Sequence, residues 1–417
     1  MSVLNHFISG YSEFFEFGNE SNMPKKDYWN KTGLIIGILL IAMNLRAPFT
    51  GIAPVASWIQ HDLSLSTTAI GLLTSLPLFA FAAFSPLSAA IARIFGLERT
   101  LFGALGLIMA GIFVRSRGQV WTLYAGTVII GIGIALGNVL LPSLIKKNFS
   151  ANVASVTAGY SIMMGLAGAI GSAAVIYMTL NWGWQVSLAM FVLIPFVAIL
   201  AWLPQLKKHG TEHLAKSSHG SEIKVWRNRL AWQVSLFMGF NAMPFYIAVG
   251  WLPSILMDQG ISAAEAGSMH GALQLATTVP GLFLAAAIRR MKDQRIAAVL
   301  VSLMSAVSFL GLLYAPSLAL LWSVVLGFGC GASMMLGLTF IGLRTTNPRD
   351  AAALSGMAQC IGYLMAAAGP MLLGAFHEWR GGWAIPLLIT AAIAVLGAGV
   401  GMLAGRDIHL EPASWTK

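Results

Sequence analysis

Arg46 stands deep inside an uninterrupted apolar stretch, residues 33–58. If that stretch is a membrane helix, the guanidinium sits ~20 Å along it at 1.5 Å per residue, near the bilayer middle. An ionised side chain there costs ~2.5–3.5 kcal/mol even on a lenient insertion scale. All 15 Asp and Glu fall in loops, ends or tails, with Glu265 nearest to an exception, so no carboxylate is placed to compensate it. A planar fork of N–H donors suits an anion, a carboxylate or the oxygens of a nitro group. Thr50 shares the Arg46 face at i+4, and Pro54 at i+8. Two readings stand: Arg46 contacts a substrate, or it satisfies carbonyls of a helix broken beside Pro48 and Pro54.

His270 is the one histidine well inside an apolar stretch, and Gln274 and Thr277 continue its face. A histidine titrates near neutrality, so His270 is the candidate to carry a coupling proton; the alternative is a neutral histidine bonded to a neighbouring helix. Asn138, Asn241 and Gln359 divide between helix–helix hydrogen bonds and cavity lining. Ser355, Gln359 and Tyr363 share one face, while Trp251 reads as an interfacial anchor. Among the acidic and basic loops, Arg93, Arg99, Arg289 and Arg295 are candidates for gating contacts. Metalloprotease, nucleophile-elbow and Walker motifs are absent. The expectation is therefore not an enzyme, with no cofactor and no metal, and transport driven by a gradient or passive. Cys330 and Cys360 lie inside apolar stretches and imply neither a disulfide nor a metal site.

The elements that must position these residues are membrane helices. The 417 residues are 57% hydrophobic and only 10% charged, where a soluble domain carries about a quarter charged residues. Stretches of ~20 apolar residues predict twelve spans: 33–58, 67–92, 100–115, 121–145, 152–177, 184–203, 231–257, 263–288, 296–315, 318–343, 351–375 and 383–404. With a cytoplasmic N-terminus, only Arg115, Arg117 and Arg380 of the 25 Lys and Arg fall in outer loops. Apart from Arg46, all the others lie inside, as the positive-inside rule requires. The net charge of +10 thus orients the chain and does not point to nucleic acid. The expected class is all-α integral membrane protein, two six-helix pseudo-symmetric bundles with both termini cytoplasmic. Its organisation is a polar extension 1–32, a bundle 33–203, a cytoplasmic linker 204–230, a bundle 231–405 and a tail 406–417. Met23, directly before Pro24-Lys25-Lys26, is a second candidate start beside Met1.

The two halves repeat. Arg93-x5-Arg99 returns as Arg289-x5-Arg295, Gly159-x5-Gly165 as Gly356-x5-Gly362, and Gly131-x-Gly133 as Gly327-x-Gly329, each displaced by 196 or 197 residues. Internal repeats of this kind mark secondary transporters, whose substrate sites lie near the midplane between the halves.

Residues 33–405 resemble the major facilitator superfamily and, within it, the cyanate and nitroimidazole permeases (the CynX/NimT group). The resemblance rests on Asn44-Leu45-Arg46 with Thr50 and Pro54, on the run Gly137 to Lys146, on Trp251-Leu252-Pro253, on Gly267 to Gly271, and on Ser355 to Gln359. It is nearer to the nitroimidazole branch. It departs at the loop after span 2, where Arg93 replaces the superfamily's acidic gate residue. The resemblance implies alternating access, a small anionic or nitro-bearing solute, monomeric action and a multi-pass place in the lipid bilayer of the inner membrane. Arg46, Thr50, Asn138, Asn241, Gln274 and Gln359 are then the candidate substrate contacts. Broader drug efflux is the alternative.

Overall fold

The computed structural model describes residues 25–149, 152–206, 225–289, 291–346 and 348–410. Every regular element among them is helical. The helices are α1 Lys25–Asn44, α2 Ala47–Thr50, α3 Ala56–Asp62, α4 Thr67–Phe95, α5 Leu97–Arg115, α6 Val120–Asn148, α7 Val153–Met190 and α8 Leu193–Leu206 in the first half. The second half holds α9 Arg229–Asp258, α10 Ala263–Ala276, α11 Leu284–Arg289, α12 Arg295–Tyr314, α13 Ala319–Leu343, α14 Pro348–Arg380 and α15 Ala384–Ala404. Short 3-10 turns at Ala53–Val55 and Val279–Leu282 complete the first and eighth expected spans. Most of the linker, residues 1–24 of the extension and residues 411–417 of the tail lie outside the described residues. Helix α1 starts at Lys25, inside the expected polar extension.

Among the described residues, ten helical stretches are long and apolar enough to cross a membrane. The fifth and sixth expected spans run together as Ser155–Leu206. They turn at Gly183, whose φ of 79° and ψ of 160° are accessible to glycine at little cost. The eighth expected span is absent from the ten because it is broken. Pro280 supplies no N–H, and α10 gives way there to a 3-10 turn before α11.

The first span is broken as well, and this break matters most. α1 stops at Asn44, and Arg46 adopts φ −123° and ψ −56° ahead of α2. Pro48 and Pro54 each remove a backbone donor. The remaining N–H groups make only local bonds, Gly51 to the Ala47 carbonyl and Val55 to that of Ile52. Among the described residues no backbone N–H reaches the Pro48 carbonyl.

The halves meet mainly through α4 against α14 and α7 against α10. Both seams are built on glycine. A Cβ on Gly71 would lie 2.5 Å from the Pro370 carbonyl oxygen, one on Gly374 2.8 Å from that of Thr67, and one on Gly271 3.0 Å from that of Ala169. The Gly71 and Gly374 approaches lie toward the end of the bundle that carries the Asp62–Thr67 connection. There Glu378 accepts hydrogen bonds from the Thr68 backbone N–H (3.1 Å) and hydroxyl (2.7 Å), and so caps α4 from the opposite half. Trp251 is a buried brace rather than an interfacial anchor: it is 1% exposed, its Nε1 donates to the Pro370 carbonyl at 2.8 Å, and its ring tilts against Trp383.

At the other end the core divides. One apolar cluster runs through the first half and on into Ile247–Leu256 and Ala366–Leu373; a second, around Phe237, Leu336, Phe340 and Leu354, belongs to the second half alone. Each half is braced separately. Lys147 approaches Glu98 at 3.6 Å, and Arg344 donates to Gln294 Oε1 at 2.7 Å and to the Ala404 carbonyl at 3.1 Å. These two braces sit at matching positions of the repeat.

Candidate functional site

The break in the first span releases Arg46 from its own helix and turns it toward the second half. Its Nε donates to Gln274 Oε1 at 3.1 Å, an Nη lies 3.5 Å from the Thr277 hydroxyl, and the guanidinium stands 5.0 Å from the Phe245 ring centroid. No carboxylate of the described residues pairs with it; its electrostatic neighbours are the phenols of Tyr246 and Tyr363. Gly168 on α7 makes the space, since a Cβ there would sit 3.0 Å from Arg46 Cγ and 3.5 Å from Gln274 Cβ.

Gln274 and His270, one turn apart on α10, continue the chain of contacts. Gln274 Nε2 lies 3.4 Å from His270 Nε2, and His270 Nδ1 lies 3.1 Å from the Ser172 hydroxyl on α7. The polarity of this chain follows from its first member. Arg46 only donates, so Gln274 must present its carbonyl to Arg46 and its N–H to the imidazole. His270 Nε2 therefore accepts, and the ring proton belongs on Nδ1, facing Ser172. Four polar side chains, two from each half, form one directed line between the halves.

Around the guanidinium stands a frame of aromatic rings. Phe49 of α2 meets Tyr246 of α9 edge-on at 5.9 Å, Phe81 of α4 meets Tyr363 of α14 at 5.3 Å, Phe49 and Phe81 lie 6.4 Å apart, and Phe245 adjoins Tyr246 at 4.9 Å. Rings pack this way because their negative faces attract positive edges. The frame joins the halves, and it offers flat faces beside a cation. The sequence offers Tyr363 as one polar member of a helical face, and nothing in it joins Phe49, Phe81, Phe245 and Tyr246 to that residue.

The other expected contacts separate. Thr50 is fully buried, and its hydroxyl turns back to the Arg46 carbonyl at 3.2 Å, so it steadies the break. Asn241 points away from Arg46: its Nδ2 donates to the Phe237 carbonyl at 2.9 Å and its Oδ1 accepts from Ser302 at 2.9 Å, joining α9 to α12. Asn138 is half-buried on α6 and follows Gly137, which abuts Leu45 at the break. Gln359 is half-buried on α14 and donates to the Ser355 hydroxyl at 2.9 Å. Glu265 completes a capping box with Ser262 at the start of α10. Of the loop arginines, Arg93 and Arg99 are exposed, Arg295 pairs with Asp293 at 3.3 Å, and the Arg289 side chain lies outside the described ones.

Arg115 overturns an expectation. Expected in an outer loop, it is fully buried at the end of α5, and its Nη1 donates to the Pro48 carbonyl at 2.6 Å. Arg46 is therefore not the only guanidinium in the interior. One carbonyl of the broken span, that of Pro48, is satisfied by Arg115.

A helical bundle whose broken spans meet at Arg46 agrees with the comparisons. The model of the Major Facilitator Superfamily matches residues 34–370. The chain belongs to that superfamily. It is 51% identical to the 2-nitroimidazole transporter of Escherichia coli (strain K12) over 92% of this chain and 98% of that protein. It is 24% identical to the cyanate transport protein CynX of the same organism over 87% of this chain and 96% of that one. Among solved structures, a bacterial homologue of the human lysosomal transporter Spinster, at 18% identity, superposes with a TM-score of 0.71 over 94% of this chain and the whole of the other. That likeness concerns the fold. The protein is thus a multi-pass membrane transporter of the superfamily and not an enzyme.

Proposed function

We propose that this transporter carries a small planar solute bearing an anionic or nitro group, 2-nitroimidazole-like before cyanate-like, by alternating access. Arg46 takes the oxygens of the solute, and the aromatic frame takes its ring. The observation that carries this reading is a half-buried guanidinium whose nearest partners are the neutral Gln274 and Thr277 of the opposite half. Broader efflux of apolar compounds would leave that charge without a purpose, because the Pro48 carbonyl at the break is held by Arg115. The related 2-nitroimidazole transporter supports a ring-bearing cargo. Cyanate, with no ring, would leave the frame of Phe49, Phe81, Tyr246 and Tyr363 unused.

The topology behind this proposal is twelve crossings, with Ser155–Leu206 counted as two and the broken stretch 263–289 as one. Both termini are cytoplasmic, the inner membrane is the location and a single copy is the working unit. The glycine-sealed end then faces outward, and the divided end faces the cytoplasm.

The directed line from Arg46 to His270 supports proton coupling. A proton arriving at His270 Nε2 makes that atom a donor facing the Gln274 N–H. The amide must then turn, and its N–H comes to face Arg46, which also donates. The Arg46–Gln274 bond breaks, and the freed guanidinium is offered to an anion. An anion on Arg46 in turn offsets the charge that opposes protonation of His270. Proton and anion therefore bind in support of each other. Uptake of labelled 2-nitroimidazole and cyanate into proteoliposomes by wild type, Arg46→Gln and Arg46→Lys tests the whole reading. The expected result is loss of transport in Arg46→Gln; full transport by that variant would refute substrate contact by Arg46.

A further inference from the structure

Arg115 has a stronger role than filling space. Its desolvation costs several kcal/mol, yet its Nε and second Nη have no partner among the described residues. The single hydrogen bond it makes goes to the carbonyl that the helix break leaves without a backbone donor. Pro48 is two residues from Arg46, in the α2 turn from which Arg46 departs. The position of Arg115 is itself fixed from behind. A Cβ on Gly126 would come 2.6 Å from Arg115 Cα and from the Gly111 carbonyl oxygen, and one on Gly111 2.8 Å from the Gly126 carbonyl oxygen. α5 and α6 are thus locked backbone to backbone at the level of Arg115.

We propose that Arg115 is a positioning residue for transport: by holding the Pro48 carbonyl it ties the Ala47–Thr50 turn to the rigid α5–α6 pair and sets the direction in which Arg46 reaches across to the second half. A broken span needs such a tie. Without it α2, four residues between two flexible junctions, has few bonds of its own to hold one orientation, and a fork that must meet a planar group tolerates little misplacement. The lone bond also explains why a charged residue is kept in the interior: a hydrogen bond from a cation is about twice as strong as a neutral one.

The proposal rests on Arg46 being the substrate contact, so its test has one arm that needs no substrate. Hydrogen–deuterium exchange of the peptide covering residues 45–53 is compared in wild type, Arg115→Lys and Arg115→Met, with α9 as internal reference. Faster exchange confined to 45–53 in Arg115→Met, largely restored in Arg115→Lys, is expected. Unchanged exchange there would overturn the proposal whatever the substrate is. In the second arm, 2-nitroimidazole transport by Arg115→Met should show KM raised about tenfold, as for loss of one charge-assisted bond, with a smaller change in the maximal rate. On an Arg46→Lys background, which keeps the charge, adding Arg115→Met should raise KM no further than Arg46→Lys alone does; losses that multiply would show that the two arginines act separately and would refute the tie. If Arg115→Met does not yield monodisperse protein, Arg115→Gln decides: it removes the charge and shortens the donor, so faster exchange over 45–53 is expected, and unchanged exchange together with a KM equal to wild type would refute the proposal. Wild type that carries no 2-nitroimidazole while the exchange result holds would instead remove the substrate assignment and leave the tie standing.

Discussion

Replacing Gln274 by Glu changes one neutral acceptor into a carboxylate without changing shape, at the atom that now accepts from Arg46 Nε at 3.1 Å. Paired with Arg46, that carboxylate is held ionised, and His270 must move its ring proton to Nε2 to face it. For charges about 4 Å apart in an effective dielectric near 20, the attraction is about 4 kcal/mol. An anionic solute has to displace it. If desolvation of the new carboxylate consumes about half, roughly 2 kcal/mol remains, so apparent affinity falls between about thirtyfold and about a thousandfold. The assay is concentration-dependent exchange of labelled 2-nitroimidazole in proteoliposomes, with protein orientation and amount matched. Gln274→Met is the control, since it removes the acceptor and adds no charge; its KM should stay at or below the wild-type value. An unchanged KM in well-folded Gln274→Glu would refute the claim that Arg46 receives the solute, because no internal carboxylate at that distance leaves a guanidinium free.

Other substitutions probe the surrounding machinery. His270→Gln should abolish the pH dependence of KM, which in wild type should fall as pH falls because proton and anion bind together; pH-titrated uptake decides, and a variant that keeps the wild-type profile would exclude His270 from coupling. Gly71→Ala places a methyl 2.5 Å from the Pro370 carbonyl oxygen and should disfavour the sealed end by about 1–3 kcal/mol. Labelling of Thr67→Cys by an impermeant maleimide, with Cys330 and Cys360 replaced, should then rise well above the Gly71 level. Asn241→Leu removes the bonds to Ser302 and Phe237 and should lower stability by about 1 kcal/mol, seen as a reduced Tm in detergent, while KM for 2-nitroimidazole stays the same.

Span positions were legible because hydrocarbon imposes a length and a polarity that few other solvents do. Val120–Asn148 and Ala384–Ala404 match their expected ranges closely. Arg46, Gln274 and His270 were legible for a related reason: ionisable and amide groups are rare enough inside a span to stand out singly. Their partnership was partly legible, since His270, Gln274 and Thr277 share one helical face, but that this face would meet Arg46 depends on how two halves pack. The aromatic frame was invisible, because Phe49, Phe81, Tyr246 and Tyr363 come from four different helices and phenylalanine in a span ordinarily reads as bulk. Asn241 shows the limit of residue type: the same amide that could line a cavity is turned against α12 by the rotation of α9. Arg115 carried a signal that went unused. Only three basic residues broke the positive-inside pattern, and a residue that defies an otherwise uniform bias has some reason to be there; the reason lay in the carbonyl that a proline-broken helix leaves behind.

The seal between α4 and α14 is made where main chain rests directly on main chain, with one carboxylate closing a helix end across it. Gates built from ion pairs weaken as salt screens them; packing against bare backbone does not. Ionic strength should therefore leave the tightness of this seal nearly untouched. What governs its opening is the work of separating two closely fitted surfaces, a step that responds to temperature and to the thickness and pressure of the surrounding lipid.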